Sequence, residues 1–378
     1  MKVPILKIPF DSEDAAQICQ ELTAMLLEGR LAVGRNVEDF EKLFSRFVGS
    51  NHALACANGT AALELIFRGL GDDARCSRGS VAIPALTFMA TAMAPLAAGY
   101  KIILVDNDPV YFQMCPKDLA RKIQPDTKAV VLVHLGGFIS PNWREIKAIA
   151  EQNGSAFIED AAHAHGAEAD GARAGTLGLA GAFSFYPTKV LTTAEGGMVT
   201  TSDAELFHKL LSLRQHGQEK PGSNVHQNFG LNQRPSEIHA LLGLRMMAKA
   251  DWILAERRRL ASVYDDLLKD LPLAPASPPI GHKPAYYKYM AMLPTGSDRD
   301  KIKERLRKEF DVALAGEVYA LPGHRQPLWA NHPEYLAAPV GPLPNAEDCA
   351  RRQICLPLWP GMTLEQQEHV RNALAAIL

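Results

Sequence analysis

Cysteine is scarce in this chain of 378 residues, which has six, at positions 19, 56, 76, 115, 349 and 355. None of them forms a close pair with the spacing of metal ligands. We therefore interpret them as reduced thiols of a cytoplasmic protein, and we expect no disulfide framework and no bound metal.

Long apolar runs and a strong charge of one sign are also missing. No uncharged apolar run reaches the roughly 18 residues needed to cross a bilayer, and the acidic residues at 11–14 interrupt any signal-peptide pattern. The formal net charge is −2, from 40 basic and 42 acidic residues, which argues against a polyanion-binding surface over the whole protein. The sequence predicts a soluble cytoplasmic protein with neither a membrane nor a nucleic acid as partner.

Hydrophobic residues make up 47% of the chain, which is ordinary for a packed globular protein. Strand and helix patterns alternate over most of the first 250 residues. The continuous apolar run at 129–134 is typical of a strand covered on both faces. This alternation predicts an α/β fold with a mainly parallel central sheet flanked by helices, in which ligands bind beyond the carboxyl ends of the strands.

The element pattern changes near residue 250. The predicted helices are 13–28, 39–48, 60–70, 90–98, 143–151, 253–270, 299–310 and 364–377, the last of which begins with a capping box. The predicted strands are 80–84, 102–106, 129–134, 156–160, 182–186, 198–201, 287–293 and 313–319. We predict a large domain over residues 1–250, including an N-terminal helical segment, and a smaller C-terminal α+β domain over residues 251–378.

Lys189 follows a short apolar strand in a turn that also holds Thr188. A lysine in a surface turn is by default a solvated charge. If the amine is partly desolvated, its pKa falls and it becomes a usable nucleophile that can form an imine and move a proton. Lys189 is therefore a candidate catalytic residue.

Asp160 ends another apolar strand. Acidic residues at strand ends often cap the next helix, but this carboxylate could instead pair with a protonated pyridine nitrogen. Its neighbour Glu159 must point to the opposite face of the strand, so only one of the two can face a ligand. We favour Asp160.

Gly59 and Thr60 begin a helix after an apolar stretch. Helix amino termini present amides and partial positive charge to a phosphate, although Thr60 could also simply cap the helix. Ser184 is a second hydroxyl candidate for the same phosphate. Together with Lys189 and Asp160, this helix start supplies what pyridoxal 5′-phosphate (PLP) needs from a protein, and we predict PLP as the cofactor.

Three ring side chains lie near these residues. Phe88 follows a strand end and could stack on the pyridine ring, or could only pack in the core. His163 could donate a hydrogen bond to the phenolic oxygen of the cofactor, whereas His165 is interpreted as structural. A metal held by these two histidines is not expected, because the sequence places no third ligand.

Eight motifs of the sequence resemble the DegT/DnrJ/EryC1/StrS aminotransferases. They lie at 58–63 (NGTAAL), 87–92 (TFMATA), 133–137 (VHLGG), 159–167 (EDAAHAHGA), 183–189 (FSFYPTK), 195–198 (EGGM), 230–234 (GLNQR) and 356–360 (LPLWP). The resemblance extends from about residue 30 to the end of the chain.

The resemblance implies a fold-type-I PLP enzyme, and a homodimer whose active sites lie at the subunit interface. By correspondence, the resemblance implies that Lys189 forms the Schiff base and that Asp160 pairs with the ring nitrogen. Phe88 and Ala162 would face the ring, and Gly59, Thr60 and Ser184 would hold the phosphate. Asn232 would reach the phosphate of the neighbouring subunit. The implied reaction moves an amino group, usually from glutamate, to a ketone on a nucleotide-linked sugar or a related cyclitol.

Other functions stay open at this point. The acceptor could be a keto-inositol, a ketosugar acid or another carbocycle, and the chain could be an aminohydroxybenzoate-type enzyme. A sugar dehydratase is disfavoured because such relatives lack the lysine, and a non-enzymatic scaffold or regulator because no cofactor residue is lost. The chain departs from the usual family pattern at His163, at Gly136 and at 233–235, near where the family holds its acceptor. Five further residues could touch substrate: Arg214, His216, Tyr319, His324 and Arg325.

Overall fold

The computed structural model describes residues 1–32, 34–71, 78–314, 316 and 318–378. Its helices are α1 Ser12–Glu28, α2 Arg35–Val48, α3 Gly59–Leu70, α4 Ala90–Ala97, α5 Pro116–Lys122, α6 Trp143–Gln152, α7 Ala204–Arg214, α8 Glu237–Ala248, α9 Ala250–Leu267, α10 Arg299–Phe310, α11 Leu328–Asn331, α12 Pro344–Arg352 and α13 Leu364–Ile377. Its strands are β1 His52–Cys56, β2 Ser80–Pro84, β3 Lys101–Val105, β4 Thr127–Val133, β5 Ala156–Asp160, β6 Glu168–Ala169, β7 Ala172–Arg173, β8 Ala180–Ser184, β9 Gly197–Thr201, β10 Ala274–Pro275, β11 His282–Lys283, β12 Tyr289–Met292 and β13 Gln353–Leu356.

The central sheet has seven strands in the order β1-β9-β8-β5-β4-β2-β3. Strands β3, β2, β4, β5 and β8 run parallel to one another, while β9 runs antiparallel to both of its neighbours, β8 and β1. The prediction of an α/β fold with a mainly parallel sheet is therefore confirmed. The carboxyl ends of β4, β5 and β8 meet at one edge of this sheet, where a ligand site is expected.

Both faces of the sheet are covered by apolar side chains. Along β4, Val131 and Val133 pack in one hydrophobic cluster, whereas Val130 and Leu132 pack in the other. This alternation is the pattern of a central strand that is buried on both sides, which confirms the prediction made from the run at 129–134. The strand ends are thus fixed on a rigid platform.

Helix caps match the sequence pattern at several places. Helix α13 begins with the predicted capping box between Thr363 and Gln366. Helix α10 covers the predicted range and begins at an Asp298 cap, whose side chain accepts from the amide of Lys301. At α3 the cap is Asn58, which accepts a 2.9 Å hydrogen bond from the amide of Ala61. The alternative in which Thr60 caps this helix is therefore wrong.

The C-terminal third of the chain forms a second sheet, antiparallel, in the order β10-β12-β13. The strand predicted at 313–319 is wrong for the residues that the structure describes there: Val312 makes a single bridge to Val3, and the following described residues are irregular. Ala315 and Glu317 lie outside the described residues, as does Cys76. The domain boundary near residue 250 stays a prediction.

In the ranges that the structure describes, no helix combines the length and the apolar character needed to span a bilayer.

Candidate active site

A cavity of about 960 Å³ opens at the carboxyl ends of β4, β5 and β8. The residues that end these strands, Val133, Asp160 and Ser184, all line it. So do all nine residues predicted for catalysis and cofactor binding: Gly59, Thr60, Phe88, Asp160, Ala162, His163, Ser184, Lys189 and Asn232. The structure therefore brings together residues that are up to 173 positions apart in the sequence.

Asp160 and Glu159 point to opposite faces of β5. The carboxylate of Asp160 lies in the cavity, where it accepts hydrogen bonds from Oγ1 of Thr91 at 2.7 Å and from the amide of Ala162 at 3.2 Å. Glu159 is fully buried on the other side, where its oxygens accept from the amides of Gly175, Leu177 and Gly178. Asp160 is thus positioned toward a ligand, whereas Glu159 fixes a loop.

Gly59 and Ser184 form a close contact at the start of α3. A Cβ atom placed on Gly59 would lie 2.6 Å from Cβ of Ser184, so only glycine allows this approach. Asn58 engages the amides of Ala61 and Ala62. Since an α-helix leaves its first amides without intrahelical partners, the amides of Gly59 and Thr60 are the ones at this end that Asn58 does not engage.

Lys189 lies in a turn that begins after β8, with its amide donating to the carbonyl of Tyr186 at 2.9 Å. Its Nζ lies 4.8 Å from the ring centroid of Tyr287. Burial, opposed by the charge of Asp160 and assisted by that of Lys288, lowers the pKa of Lys189 from 10.5 to about 8. The amine therefore loses its proton near neutral pH far more readily than an exposed lysine, as a nucleophile requires.

His163 is buried and is held by contacts on both ring nitrogens. Its Nδ1 accepts from the amide of Gly136 at 3.3 Å, so the neutral ring carries its hydrogen on Nε2, which lies 3.3 Å from the hydroxyl of Tyr319. Burial, together with the charges of Lys189 and Lys288, holds the pKa of His163 well below its usual value of 6.5. The side chain is therefore a neutral hydrogen-bond donor toward the cavity.

His165 has a different environment. It is fully buried, and the rings of Phe44, Phe183 and Phe185 surround it, with centroids 5.0 to 6.3 Å away. Burial lowers the pKa of His165 to about 3, so the ring stays neutral at any physiological pH. Its place in an aromatic cluster agrees with the interpretation of His165 as structural.

Gly136 and Gly137 support a segment that the sequence did not associate with the site. The amide of Ala285 donates to the carbonyl of Gly137 at 2.9 Å, and the amide of Lys288 donates to Gly136 at 3.2 Å. Both glycines have positive φ, and a Cβ on Gly136 would lie 2.6 Å from Cε of Met290. Their small size thus lets the segment 285–290 approach the cavity.

This segment brings Tyr287 and Lys288 to the cavity wall. The ring of Tyr287 stacks on His163 at a centroid distance of 4.2 Å, and its hydroxyl lies 3.0 Å from Oγ1 of Thr188. Sequence reasoning missed both residues, and it also missed Thr91. A signal for Thr91 was available, because it lies in the motif at 87–92 that carries the family resemblance.

The residues considered for substrate contact mostly lie elsewhere. Among the described residues that line the cavity, Tyr319 is the only one of the five. Arg214 is buried and donates to Glu41 and to the carbonyl of Ala55. His324 and Arg325 both contact the carboxylate of Glu347 and do not line the cavity.

The residues present fit PLP. The Gly59–Ser184 contact forms a cradle that a side chain would fill, at the amino end of a helix, as a phosphate needs. Asp160 provides a buried carboxylate on the same cavity, and Lys189 an amine with a lowered pKa. Phe88 stands at the rim with 61% of its surface exposed, so its ring is available to a planar ligand.

A mainly parallel α/β sheet with this lysine, carboxylate and helix start on one cavity is typical of the class of fold-type-I PLP-dependent enzymes. The chain belongs to the DegT/DnrJ/EryC1/StrS aminotransferase family, because the sequence model of that family matches residues 12–375. The resemblance seen in the sequence motifs is thereby confirmed, as are aminotransferase chemistry and PLP as the cofactor of the family.

Similar proteins cover nearly the whole chain. The "Pleiotropic regulatory protein" of Geobacillus stearothermophilus is 32% identical over 99% of this chain and 98% of its own length. The GDP-perosamine synthase of Caulobacter vibrioides is 33% identical over 92% of this chain and 91% of its own. Among solved structures, S. venezuelae DesV in complex with a ketimine intermediate has a TM-score of 0.90 and 30% identity, with 99% of this chain and 98% of that chain covered.

Proposed function

We propose that this protein transfers an amino group from glutamate to a keto sugar, with a nucleotide-linked sugar as the acceptor, in the biosynthesis of amino sugars. The observation that carries the proposal is the convergence of Lys189, Asp160 and the Gly59–Ser184 cradle on one cavity. The GDP-perosamine synthase and the dTDP-amino-sugar transaminases among the relatives support this acceptor class.

Each predicted residue has a role in binding the cofactor. We assign the phosphate to Gly59, Thr60 and Ser184, the ring nitrogen to Asp160, and the two ring faces to Phe88 and Ala162. Nε2 of His163 donates to the phenolic oxygen. When bound, PLP supplies an electron sink and a carbonyl that accepts and returns an amino group.

Lys189 binds the cofactor covalently and carries protons on Nζ during turnover. Because its pKa is about 8, a substantial fraction of the amine is neutral at mildly alkaline pH and can accept a proton. The ring of Tyr287, 4.8 Å from Nζ, restricts where this amine can lie. The hydrogen bond between Tyr287 and Thr188 in turn fixes that ring.

We also propose a homodimer with shared active sites, in which Asn232 reaches the phosphate of the neighbouring subunit. Asn232 follows a segment with two exposed apolar side chains, Val225 and Phe229, which are 54% and 74% exposed in the single chain. A partner subunit would cover such side chains. The same asparagine also lines the cavity of its own chain, and mixing of two inactive variants distinguishes the two arrangements.

A cytoplasmic location belongs to the same proposal. The described cysteines, Cys19, Cys56, Cys115, Cys349 and Cys355, are free thiols, as suits a reducing compartment.

A regulatory, non-enzymatic role is the second candidate, because one relative carries a regulatory name. Loss of catalysis would permit decay of the site, yet Lys189, Asp160 and the phosphate cradle are all present. A dehydratase is less favoured for the same reason, since Lys189 is retained. Keto-inositols, ketosugar acids, other carbocycles and aminohydroxybenzoate-type chemistry remain acceptor alternatives.

Purified protein tests the proposal directly. It is expected to bind PLP with a visible absorption band, and borohydride reduction followed by peptide mapping is expected to find the cofactor mass on Lys189. A screen of ketones against the amine-loaded enzyme then identifies the acceptor. A protein that stays colourless with added PLP, or a reduced tag on another lysine, would refute the proposal.

A further inference from the structure

Tyr319 places a hydroxyl beside His163 that the proposed cofactor contacts do not use. Its oxygen lies 3.3 Å from Nε2 of His163. The ring centroids of Tyr319 and Phe88 are 6.1 Å apart, and all three side chains line the cavity. A residue from the C-terminal third of the chain thus lies next to two residues that are proposed to meet the cofactor.

Two contacts with Gln353 fix the backbone that presents this hydroxyl. The amide of Val318 donates to Oε1 of Gln353 at 3.0 Å, and Nε2 of Gln353 donates to the carbonyl of Tyr319 at 3.4 Å. Gln353 is itself buried at the start of β13. Tyr319 therefore projects from a segment that is held in place, as a binding residue requires.

The oxygen of Tyr319 receives hydrogens from two donors. Because Nδ1 of His163 accepts from the amide of Gly136, the hydrogen on Nε2 points to Tyr319. The backbone of Phe88 also hydrogen-bonds this oxygen and favours its ionised form, so the Phe88 amide is the donor. In the ranges that the structure describes, no group accepts the hydrogen of this hydroxyl. That hydrogen is therefore available to a ligand.

Tyr319 keeps its hydrogen at ordinary pH. Burial raises the pKa of Tyr319 well above its usual value of 10, and nearby Asp160 and Tyr287 raise it further. The ring of His163 is neutral as well, because its pKa is held well below 6.5. The cavity thus presents two neutral donors side by side, Nε2 of His163 and the hydroxyl of Tyr319.

Two donors 3.3 Å apart can share one acceptor, because an atom about 2.8 Å from each lies within hydrogen-bond distance of both. We propose that Tyr319 is a cofactor-binding residue whose hydroxyl donates a second hydrogen bond to the phenolic oxygen of PLP, beside Nε2 of His163. This inference rests on the proposed function and adds a residue to the same site. An ionised phenolic oxygen is a strong acceptor and has lone pairs for both donors.

The test compares PLP with 3-deoxypyridoxal 5′-phosphate, an analogue without the phenolic oxygen. Equilibrium dialysis measures the dissociation constants of both compounds for the wild type and for Tyr319→Phe, without turnover. Tyr264→Phe is the matched control, because the buried hydroxyl of Tyr264 donates to the carbonyl of Pro357 at 2.9 Å and Tyr264 does not line the cavity. Thermal midpoints of all variants identify any loss of folding.

We expect Tyr319→Phe to raise the dissociation constant of PLP roughly tenfold, as expected for loss of a hydrogen bond to a charged oxygen. The constant of the analogue should change by less than about twofold, because the analogue has no oxygen for Tyr319 to meet. Tyr264→Phe should change neither constant. If Tyr319→Phe weakens the two compounds equally, or weakens neither, the inference is overturned.

The visible absorption band of bound PLP gives a second readout. Hydrogen bonds to an ionised oxygen favour its charged form, so the loss of one raises the pH at which the band changes. We expect this midpoint to rise by about one pH unit in Tyr319→Phe, in proportion to the tenfold loss of affinity. It should not move in Tyr264→Phe, and the same midpoint in Tyr319→Phe and the wild type would contradict the contact.

A background without His163 separates a direct contact from an indirect one. In His163→Ala no imidazole remains for Tyr319 to orient, so any further effect of Tyr319→Phe comes from its own hydroxyl. We expect the second substitution to raise the PLP dissociation constant severalfold again in this background. If it has no effect there, Tyr319 acts only through His163 and the inference is overturned.

Failure of the proposed function is distinguishable from failure of this inference. If the wild type binds PLP but no ketone converts its amine-loaded form, the aminotransferase proposal fails, whereas the affinities still report on Tyr319. If turnover is normal and Tyr319→Phe binds PLP like the wild type, only the inference about Tyr319 fails. A wild type that takes up no PLP overturns both.

Discussion

Thr91 donates a 2.7 Å hydrogen bond from Oγ1 to Oδ2 of Asp160 inside the protein, and Thr87 contacts Thr91 at 2.8 Å. The helix that begins at Ala90 thereby orients the carboxylate that is proposed to meet the pyridine nitrogen. We expect Thr91→Val to weaken PLP binding and lower turnover roughly tenfold, because one hydrogen bond to a charged group is lost. Spectroscopic titration with PLP measures the first effect and a transamination assay the second.

Thr201→Val is the matched control for this change. Thr201 is also buried, and its hydroxyl donates to the carbonyl of Leu179 away from the cavity. Both variants should lose about 1 kcal/mol of unfolding free energy, but only Thr91→Val should affect the cofactor. Equal effects of the two variants on PLP affinity would mean that Thr91 acts only through stability.

Substitutions of the adjacent carboxylates Asp160 and Glu159 are expected to have different effects, the first on catalysis and the second on stability. Asp160→Asn should still bind PLP but lower transamination on the order of a hundredfold, since a charged partner of the ring nitrogen is lost. Glu159→Gln should instead lower the unfolding free energy by about 2 kcal/mol, because three loop amides and His134, whose Nε2 lies 2.8 Å from a Glu159 oxygen, lose their charged partner. Chemical denaturation and turnover per mole of bound PLP measure the two effects, and normal rates in Asp160→Asn would contradict the ring-nitrogen assignment.

The phosphate cradle is expected to tolerate no added methyl group. Gly59→Ala places a Cβ 2.6 Å from Cβ of Ser184, so we expect a marked loss of PLP affinity. Gly341→Ala is the control, because its added Cβ has no neighbour within 4 Å. An unchanged dissociation constant in Gly59→Ala would contradict the cradle.

Lys189 should make the stability of the cofactor-free protein depend on alkaline pH. Its folded pKa is about 8 against an ordinary 10.5, so the unfolded chain holds more protons between these values. Relative to Lys189→Met, the unfolding free energy of the wild type should therefore be lowest below pH 8 and rise as the pH increases to 10.5. Urea denaturation across this range measures the difference, which would stay flat if the amine were not desolvated.

Mixing two inactive variants can decide which subunit Asn232 serves. We expect Lys189→Ala and Asn232→Ala to be inactive, or nearly so, as separate dimers. If Asn232 reaches the neighbouring site, a mixed dimer has one intact site, and activity should return after the subunits are exchanged. If Asn232 serves its own chain, no mixture recovers activity. Sedimentation of the single variants checks that each remains a dimer.

Much of the parallel sheet was predictable from the sequence because its signals are local. The apolar strands at 80–84 and 156–160 and the capped helix at 299–310 have the predicted bounds. Each is defined by an apolar run or a cap within a few residues, and the lysine and carboxylate that follow such runs were found for the same reason.

The parts that depend on distant contacts were not predictable in this way. Tyr287 and Lys288 reach the cavity only because Gly136 and Gly137 leave room for their segment, and nothing near residue 287 in the sequence signals that contact. The incorrect strand at 313–319 has a related cause. Its apolar residues suit a strand, but Val312 pairs by a single bridge to Val3, some three hundred positions away.

Because Gly136 and Gly137 support the segment 285–290, the cavity depends on the order in which parts of the newly made chain fold. The wall around Lys189 is complete only when residues almost a hundred positions downstream have been synthesised and have docked. A chain interrupted before residue 285 would carry the reactive lysine without the aromatic ring beside it. Newly made protein should thus acquire a fully formed coenzyme pocket late, after its C-terminal third has folded against the sheet.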